Sequence, residues 1–453
     1  MDTHQPGFFE KASQWLKQSV TIRLITIGIL ILFLLIPVSM IEGLIRERES
    51  RQEEAIQEVS AIWGQQQTLV GPILSVPYKT YSKVFENGSA DKYKLVESVE
   101  YAHFLPDELR VSGAVSPEMR YRGIDEVIVY NARMNLDGRF SAPDFAEWNI
   151  EPGDILWNEA TLSLGLSDVR SIQDTLSVRW GSRTLYFNPG VECDDLIKTG
   201  ISARVPLGGP DSLSIPFSLA LNMNGSSGLS FTPVGKTTWV DLSSTWQNPS
   251  FSGAFLPDKR DVRETGFTAG WKVLHLNRSY PQQFRGTMEG LTESAFGVDL
   301  IVPVDEYQKS MRAAKYAVMF ITLTFLVFFF VQILNGVRIH PIQYFIVGLS
   351  LCVFYTLLIG LSEHIPFSFS YLISSVSVVG LITFYAYSIF RQQRLTWLVL
   401  LILTALYVFI FSVIQMEDYA LLMGSIGLFL VLTAIVYLSR RIDWYALRSK
   451  EKE

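Results

Sequence analysis

Charge is the first scarcity. Only 18% of the 453 residues are Asp, Glu, Lys or Arg, whereas soluble domains carry roughly 25%. The balance, 38 basic against 44 acidic, leaves a net charge of −6. That argues against a basic nucleic-acid binder, and 49% hydrophobic residues argue against a disordered chain. Cysteine is scarcer still. Cys193 and Cys352 are the whole set, and they fall in segments of such different character that no internal disulfide is expected.

Catalytic and metal-binding spacings are missing as well. His4, His103, His275, His340 and His364 form no H-x₃-H, H-E-x-x-H or Cys/His cluster, so no zinc site is signalled. Gly235-Lys236-Thr237 ends like a phosphate loop, but Ser230 stands where the first glycine is required. Gly225-Ser226-Ser227-Gly228 lacks the spacing of a nucleophile elbow. Glu192, Asp194 and Asp195 read as a solvated loop. No cofactor is implied.

What the chain does contain is long uncharged apolar runs. Leu24–Ile41 is the first, and Tyr316–Val337, Ile342–Gly360, Ile365–Phe390, Leu395–Met416 and Tyr419–Ser439 follow after a long polar interval. A helix needs about 20 residues to cross a hydrocarbon core of about 30 Å. The runs therefore predict one membrane helix, a large insert, then five more helices. Val38-Ser39-Met40 offers no small-x-small cleavage pattern, so the first run reads as an uncleaved signal anchor.

Basic residues orient the array. With a cytoplasmic N-terminus, Lys11, Lys17, Arg23, Arg338, Arg391, Arg394 and the tail's Arg440, Arg441, Arg448, Lys450 and Lys452 all lie inside. That is eleven basic residues, against none in the outside loops that hold Glu363, Glu417 and Asp418. Both termini are thus expected inside, with residues 42–315 on the far side. The expected division is 1–41 for N-terminus and anchor, 42–315 for the exported domain, 316–439 for the five-helix bundle, and 440–453 for the tail.

Within the insert, Glu42 to about Trp63 reads as a helical stalk. Glu42/Arg46 and Glu47/Arg51 stand four apart, beside an apolar stripe of Ala55, Ile56, Val59 and Ile62. From Gly71 the period changes to two. Leu213 through Met223 alternates apolar and polar, with Pro216 suggesting a sheet edge. Gly181-Ser182 predicts a hairpin loop after Trp180. Other turn signals are Asn87-Gly88, Asp137-Gly138, Gly208-Gly209-Pro210 and Asn224 to Gly228. The pattern indicates an all-β, sandwich-like domain, with a division into two lobes near residue 150 open. The overall class is an α plus β membrane protein.

Seven tryptophans (Trp63, Trp148, Trp157, Trp180, Trp239, Trp246 and Trp271) fall in this domain. Sugar stacking is one reading; core packing is the plainer one. The membrane runs hold no Asp, Glu, Lys or Arg, which weakens an ion-coupled transporter. Gln332, Asn335 and Gln343, with several Ser and Thr, are the polar side chains a conducting path would use. Two membrane-edge groups are candidate functional residues: His340, Gln343 and Tyr344 on the inside, Glu363 and His364 on the outside. One spanning helix of about 35 Å separates them, so they cannot form a single site.

Several motifs run in a matching order along nearly the whole chain. They are Gly71-Pro72-Ile73-Leu74-Ser75-Val76-Pro77-Tyr78, Tyr121-Arg122-Gly123-Ile124, Pro249-Ser250-Phe251, Phe255-Leu256-Pro257, Pro303-Val304-Asp305-Glu306-Tyr307-Gln308-Lys309, Ile339-His340-Pro341-Ile342-Gln343-Tyr344, Leu361-Ser362-Glu363-His364 and Arg441-Ile442-Asp443-Trp444-Tyr445-Ala446-Leu447. The chain thereby resembles the CreD family of bacterial inner-membrane proteins. One departure is Gln332, where the family pattern leads one to expect an acidic residue. The resemblance implies a cell-envelope integrity protein of the inner membrane, tied in some bacteria to a two-component regulon and to tolerance of envelope stress such as colicin or β-lactam exposure. It implies no catalytic activity and no catalytic residues.

The expected function is therefore non-enzymatic, with a periplasmic β domain contacting an envelope protein or glycan and the bundle held in the lipid bilayer. The alternative is a transporter or channel formed by the five helices. A glycan-active enzyme would need two carboxylates about 5–9.5 Å apart in one cleft.

Overall fold

The computed structural model describes residues 20–85, 93–193, 196–209, 214–288, 290–302, 306–416 and 419–440. The Asn87-Gly88 turn, the Asp194 and Asp195 carboxylates, Pro210, Leu213, Pro303 to Asp305, the Glu417-Asp418 loop and the basic residues at 11, 17 and 441–452 lie outside the described residues, as does the rest of the tail motif. The chain divides into two compact units, Met1–Arg51 with Val304–Glu453, and Gln52–Pro303.

Among the described residues six helices are long and apolar enough to cross a membrane, one before the β domain and five after it. Helix α1 (Val20–Trp63) runs unbroken for 44 residues, about 66 Å at 1.5 Å per residue, roughly twice a hydrocarbon core. Leu34, Val38, Ile41 and Ile45 bury one edge of its apolar half in the bundle's core. In its charged half Arg51 pairs with Glu47 at 2.6 Å, as the spacing predicts. Ala55 is buried, but Ile62 is 89% exposed. The expected stripe stops short of the helix end because Trp63 makes the contact there instead. Its indole donates to the Tyr130 carbonyl at 3.3 Å and lies under the Arg120 guanidinium.

The second unit is built of strands. In chain order they are β1 (Gln67–Phe85), β2 (Tyr93–Phe104), β3 (Glu108–Arg122), β4 (Asp125–Phe140), β5 (Thr161–Leu166), β6 (Ser177–Trp180), β7 (Arg183–Tyr186), β8 (Asn188–Pro189), β9 (Gly200–Arg204), β10 (Ile215–Ser226), β11 (Gly228–Phe231), β12 (Thr237–Ser244), β13 (Pro249–Gly253), β14 (Lys259–Arg263), β15 (Gly266–Leu274), β16 (Gln283–Arg285) and β17 (Phe296–Leu300). One sheet runs β13-β17-β11-β1-β5-β9-β8, with β2 beside β1 and β16 beside β2; the other runs β14-β15-β12-β3-β4-β10-β6-β7.

A single hydrophobic core joins the two sheets. Leu74 and Leu162 come from one, Leu136, Leu219 and Val240 from the other. Both sheets mix strands from before and after residue 150, so the possible division into two lobes is not realised. Trp180 and Trp271 are buried, while Trp148, Trp157 and Trp246 pack against the core. Trp239 lies half-buried under Arg110. The tryptophans thus follow the packing reading: two are buried and the other five are half-buried.

Several local expectations are corrected. The alternation of Phe217, Leu219, Leu221 and Met223 does bury one face, but β10 lies between β4 and β6, so Pro216 is not at a sheet edge. Its carbonyl accepts from Gly181 N. The missing N–H would point the same way, into the β6–β7 turn, so the ladder to β4 loses nothing. Asp137-Gly138 lies inside β4 and is no turn. Gly138 is required there because a side chain would strike the Glu108 carbonyl and the Phe217 ring. Ser226 and Gly228 are both strand residues, and Ser227 alone, at φ 61°, carries the chain from one sheet to the other. Gly181-Ser182 does form the predicted β6–β7 loop, with Gly181 at φ 56°.

After the β domain come α2 (Glu306–Lys315), α3 (Ala317–Asn335), α4 (Pro341–Ser362), α5 (Phe367–Phe390), α6 (Gln393–Gln415) and α7 (Ala420–Ser439). Tyr316 does not begin a continuous span; it separates the amphipathic α2 from α3. Gly336, at φ 64°, ends α3 in the left-handed conformation that glycine adopts without penalty. The bundle interior is aromatic: the Tyr407 ring lies 4.7 Å from Phe320 and 4.9 Å from Phe354, centroid to centroid. Nearby, the Tyr371 hydroxyl donates to the Tyr407 carbonyl at 2.8 Å.

Candidate functional site

The residues singled out at the membrane edges lie in helix α4 or beside its two ends. At its N-terminus His340 is the cap: its Nδ1 accepts from Ile342 N at 3.3 Å, while the Gln343 Oε1 accepts from His340 N at 2.9 Å. Pro341 follows at the first helical position, where no N–H is needed. The motif is a reciprocal cap that uses imidazole and amide in place of the usual hydroxyl and carboxylate. His340 and Gln343 are thus brought together, but toward the backbone.

Tyr344 turns inward. Its ring packs against Phe325 at 5.4 Å and Phe328 at 6.3 Å. Its hydroxyl donates to the Gln332 Oε1 at 2.9 Å, with both residues buried. Gln332, the departure from the family pattern, is therefore the partner of a motif residue. A neutral acceptor suits this place, since an ionised carboxylate among phenylalanines would be far costlier to desolvate. Asn335 donates to the Val331 carbonyl at 3.1 Å. Gln332, Asn335 and Gln343 are each engaged in local bonds.

At the other end Glu363 caps the last turn of α4 and receives the Arg48 Nε of α1 at 3.2 Å. His364 follows it, exposed. The pairing of Glu363 with a stalk residue has no sequence signal, because Arg48 and Glu363 lie in charge patterns that look merely solvated. Near the helix middle, Gly348 admits α1: a side chain there would strike Leu34 and Phe325. One helix thus holds a cap, a buried polar bond, a close approach and an ion pair. This arrangement positions helices; it contains no nucleophile with a base.

Two hollows stand apart from α4. A cleft of about 540 Å³ between α5 and α6 is apolar, lined by Tyr371, Val379, Leu400 and Phe411 among others. A polar one of about 540 Å³ in the β domain gathers Asp107, Glu108, Arg139, Ser141, Lys236 and His275. There Arg139 holds Glu108 at 2.7 Å and Ser141 donates to Asp107. Each carboxylate already has its own donor. Among the described residues no group of three His, Cys, Asp or Glu could hold a metal ion.

The β1–β2 ribbon is the other distinctive surface. The two strands pair from Leu74 with Phe104 out to Phe85 with Tyr93, whereas β5 follows β1 only to Ser75 and β16 follows β2 only to Ala102. Beyond Tyr78 and Tyr101 neither edge of the ribbon has a strand partner among the described residues. The distal ribbon exposes Tyr81, Val84, Tyr93, Leu95, Val96 and Val99. Lys79 pairs with Glu97 at 2.7 Å and Lys83 lies over the Tyr93 ring. At its base the Tyr78 hydroxyl donates to Glu100, and burial, reinforced by that carboxylate, pushes its pKa up to about 12. Sequence reading missed this surface, since alternating apolar residues normally signal one buried face.

Comparison with known proteins gives a consistent result. The family model described as "Inner membrane protein CreD" matches residues 19–445. The inner membrane protein CreD of Escherichia coli is 31% identical over 421 residues, 92% of each chain. Among solved structures, an M1 zinc metallopeptidase variant from Deinococcus radiodurans bound to a Tyr-ser-ala substrate aligns at a TM-score of 0.21 and 9% identity. That alignment covers 43% of this chain and 42% of that one. The unsubstituted metallopeptidase aligns at 0.19 and 8%, over 43% and 41%.

Proposed function

Because the chain belongs to the CreD family of inner membrane proteins, we propose that it is a non-enzymatic component supporting the integrity of the cell envelope. Its β domain lies on the periplasmic side and contacts an envelope protein or glycan; the six helices hold that domain at the bilayer. The basic residues beside the spans support the orientation, with Arg23, Arg338, Arg391, Arg394 and Arg440 on the cytoplasmic side and Glu363 on the other. Residues 42–315 form the exported part and 316–439 the bundle.

The observation that carries this reading is the β1–β2 ribbon. Unpaired strand edges with exposed aliphatic and aromatic side chains are a hazard unless something covers them. Here they occur on a domain whose own core is complete without them. The engagement of Gln332, Asn335 and Gln343 in local bonds supports a scaffold over a conduit.

The test is complementation of a strain lacking the gene. The full chain should restore tolerance to envelope-perturbing detergent. A variant carrying Leu95→Ser, Val96→Ser and Val99→Ser should reach the membrane at equal abundance and fail to restore it. Photocrosslinking from Tyr81 in intact cells should capture an envelope component. Equal rescue by the triple variant, together with no crosslink, overturns the reading. Reporter fusions at the C-terminus should show it cytoplasmic.

A further inference from the structure

A row of side chains crosses five strands of the β1 sheet on one face. The register aligns Phe284 with His103, His103 with Ser75, Ser75 with Thr161, and Thr161 with Arg204. Partners in register leave a sheet on one face. The alternate positions Leu74, Ala102 and Leu162 lie on the other face, each 0% exposed. Gly190 to Cys193 lie over this row. Ser202 Oγ donates to the Gly190 carbonyl at 2.9 Å, and Glu192 pairs with Arg204 at 3.2 Å.

That covering segment places Cys193 against the row. Its Sγ lies 3.9 Å from His103 Nε2, and Ser75 Oγ lies 2.9 Å from His103 Nδ1. The imidazole is 1% exposed and its ring packs on Phe284 at 5.4 Å, whereas Cys193 itself is only half-buried. Thr161 Oγ1, next to Ser75 in register, is buried without a hydrogen-bond partner among the described residues. A thiol with a fixed imidazole behind it, and a hydroxyl fixing that imidazole, is the arrangement that generates a thiolate nucleophile.

We infer that Cys193 is a thiol–disulfide exchange site, with His103 as its base and Ser75 as the residue positioning that base. With Ser75 accepting from Nδ1–H, the Nε2 lone pair takes the Cys193 proton. The thiolate then attacks one sulfur of a low-molecular-weight disulfide. The disulfide's S–S bond breaks, a new S–S bond joins Cys193 to one half, and the other half leaves as a thiolate that is reprotonated from the imidazolium. Two electrons stay within the sulfur pool, so no further oxidant is required. The substrate class is a low-molecular-weight disulfide, which the half-buried Cys193 can meet without opening the row. Charges flanking the row are Glu192, paired with Arg204, and Glu100 and Arg285 on the opposite face of their strands. Asp194 and Asp195 follow Cys193 outside the described residues.

The experiment uses the full chain in detergent with Cys352→Ser, leaving one thiol. Oxidised glutathione is the probe, and intact mass reports the adduct over a pH series. Cys193 should form the mixed disulfide, with a rate midpoint below the roughly 8.5 of a free thiol. His103→Asn should move the midpoint up and slow the reaction at pH 7 about three- to tenfold, the gain in nucleophilicity offsetting part of the lost thiolate. Near-UV circular dichroism checks the fold, and Ser75→Ala, expected to move the midpoint in the same direction, decides if His103→Asn unfolds. No adduct at Cys193, or a pH profile unmoved by the folded base or positioning variant, overturns the inference.

Discussion

The Tyr344 hydroxyl donates to Gln332 at 2.9 Å inside an apolar bundle, joining α3 to α4 through one polar bond. Tyr344→Phe leaves the Gln332 amide buried without that donor and should cost about 1–2 kcal/mol. Gln332→Leu alone should cost a similar amount by stranding the phenol. The double variant should cost less than the sum, because no polar group is then left behind. Thermal unfolding of the four proteins in one detergent measures this coupling; strict additivity would show that the bond is inert.

Gly348 meets Leu34 where α1 crosses α4. Gly348→Ala places a methyl group against Leu34 Cδ1 and Phe325 and should destabilise the bundle by about 1–3 kcal/mol through overpacking. Leu34→Ala creates a space of its own, yet should partly relieve Gly348→Ala when the two are combined. Protease resistance of the membrane-embedded unit reports the ranking.

Arg48 and Glu363 lie 315 positions apart in the chain and 3.2 Å apart in space. The Arg48 side chain is 36% exposed and Glu363 is 12% exposed, so the pair should contribute up to about 1 kcal/mol. Glu363→Gln should lower the unfolding temperature modestly, and more at low than at high salt. The reversal Arg48→Glu with Glu363→Arg should recover most of the loss, whereas either single reversal should not.

Asp168 supplies a pH test in the β domain. The buried carboxylate accepts from the Arg170 side chain at 2.9 Å and from Arg170 N at 3.1 Å, and these bonds hold its pKa below the ordinary carboxylate value. Its contribution is present above the unfolded value of about 3.9 and is lost as pH falls through the lower folded value. Asp168→Asn should cost less than about 1 kcal/mol at pH 7, since Arg170 is largely solvated. The difference from the parent protein should vanish in acid. A pH-independent difference would assign the loss to packing.

Much of the architecture was legible before any coordinates. Apolar runs such as Ile342–Gly360 announce membrane helices, and the alternation of Phe217, Leu219, Leu221 and Met223 announces a strand. Both signals are periodic and local. The failures are instructive for the same reason. Asp137-Gly138 looked like a turn because glycine frees the backbone, but there it frees space for Phe217. Pro216 looked like an edge because it lacks an N–H, but the missing donor faces a turn. Exposed Leu95 and Val99 carried no signal of their own, because whether a strand stays on the core depends on which strands accompany it.

The candidate residues divide along the same line. His340, Pro341 and Gln343 cap a helix within four consecutive residues, so their spacing alone carries the geometry. Tyr344 with Gln332, Glu363 with Arg48, and Cys193 with His103 do not share that property. Local periodicity and apolar length determined which segments became helices and strands, because hydrocarbon thickness and sheet pleat act on each stretch of chain separately. Which side chains meet across those segments was decided only by tertiary packing, since a contact between distant residues depends on register and crossing geometry that no short stretch encodes.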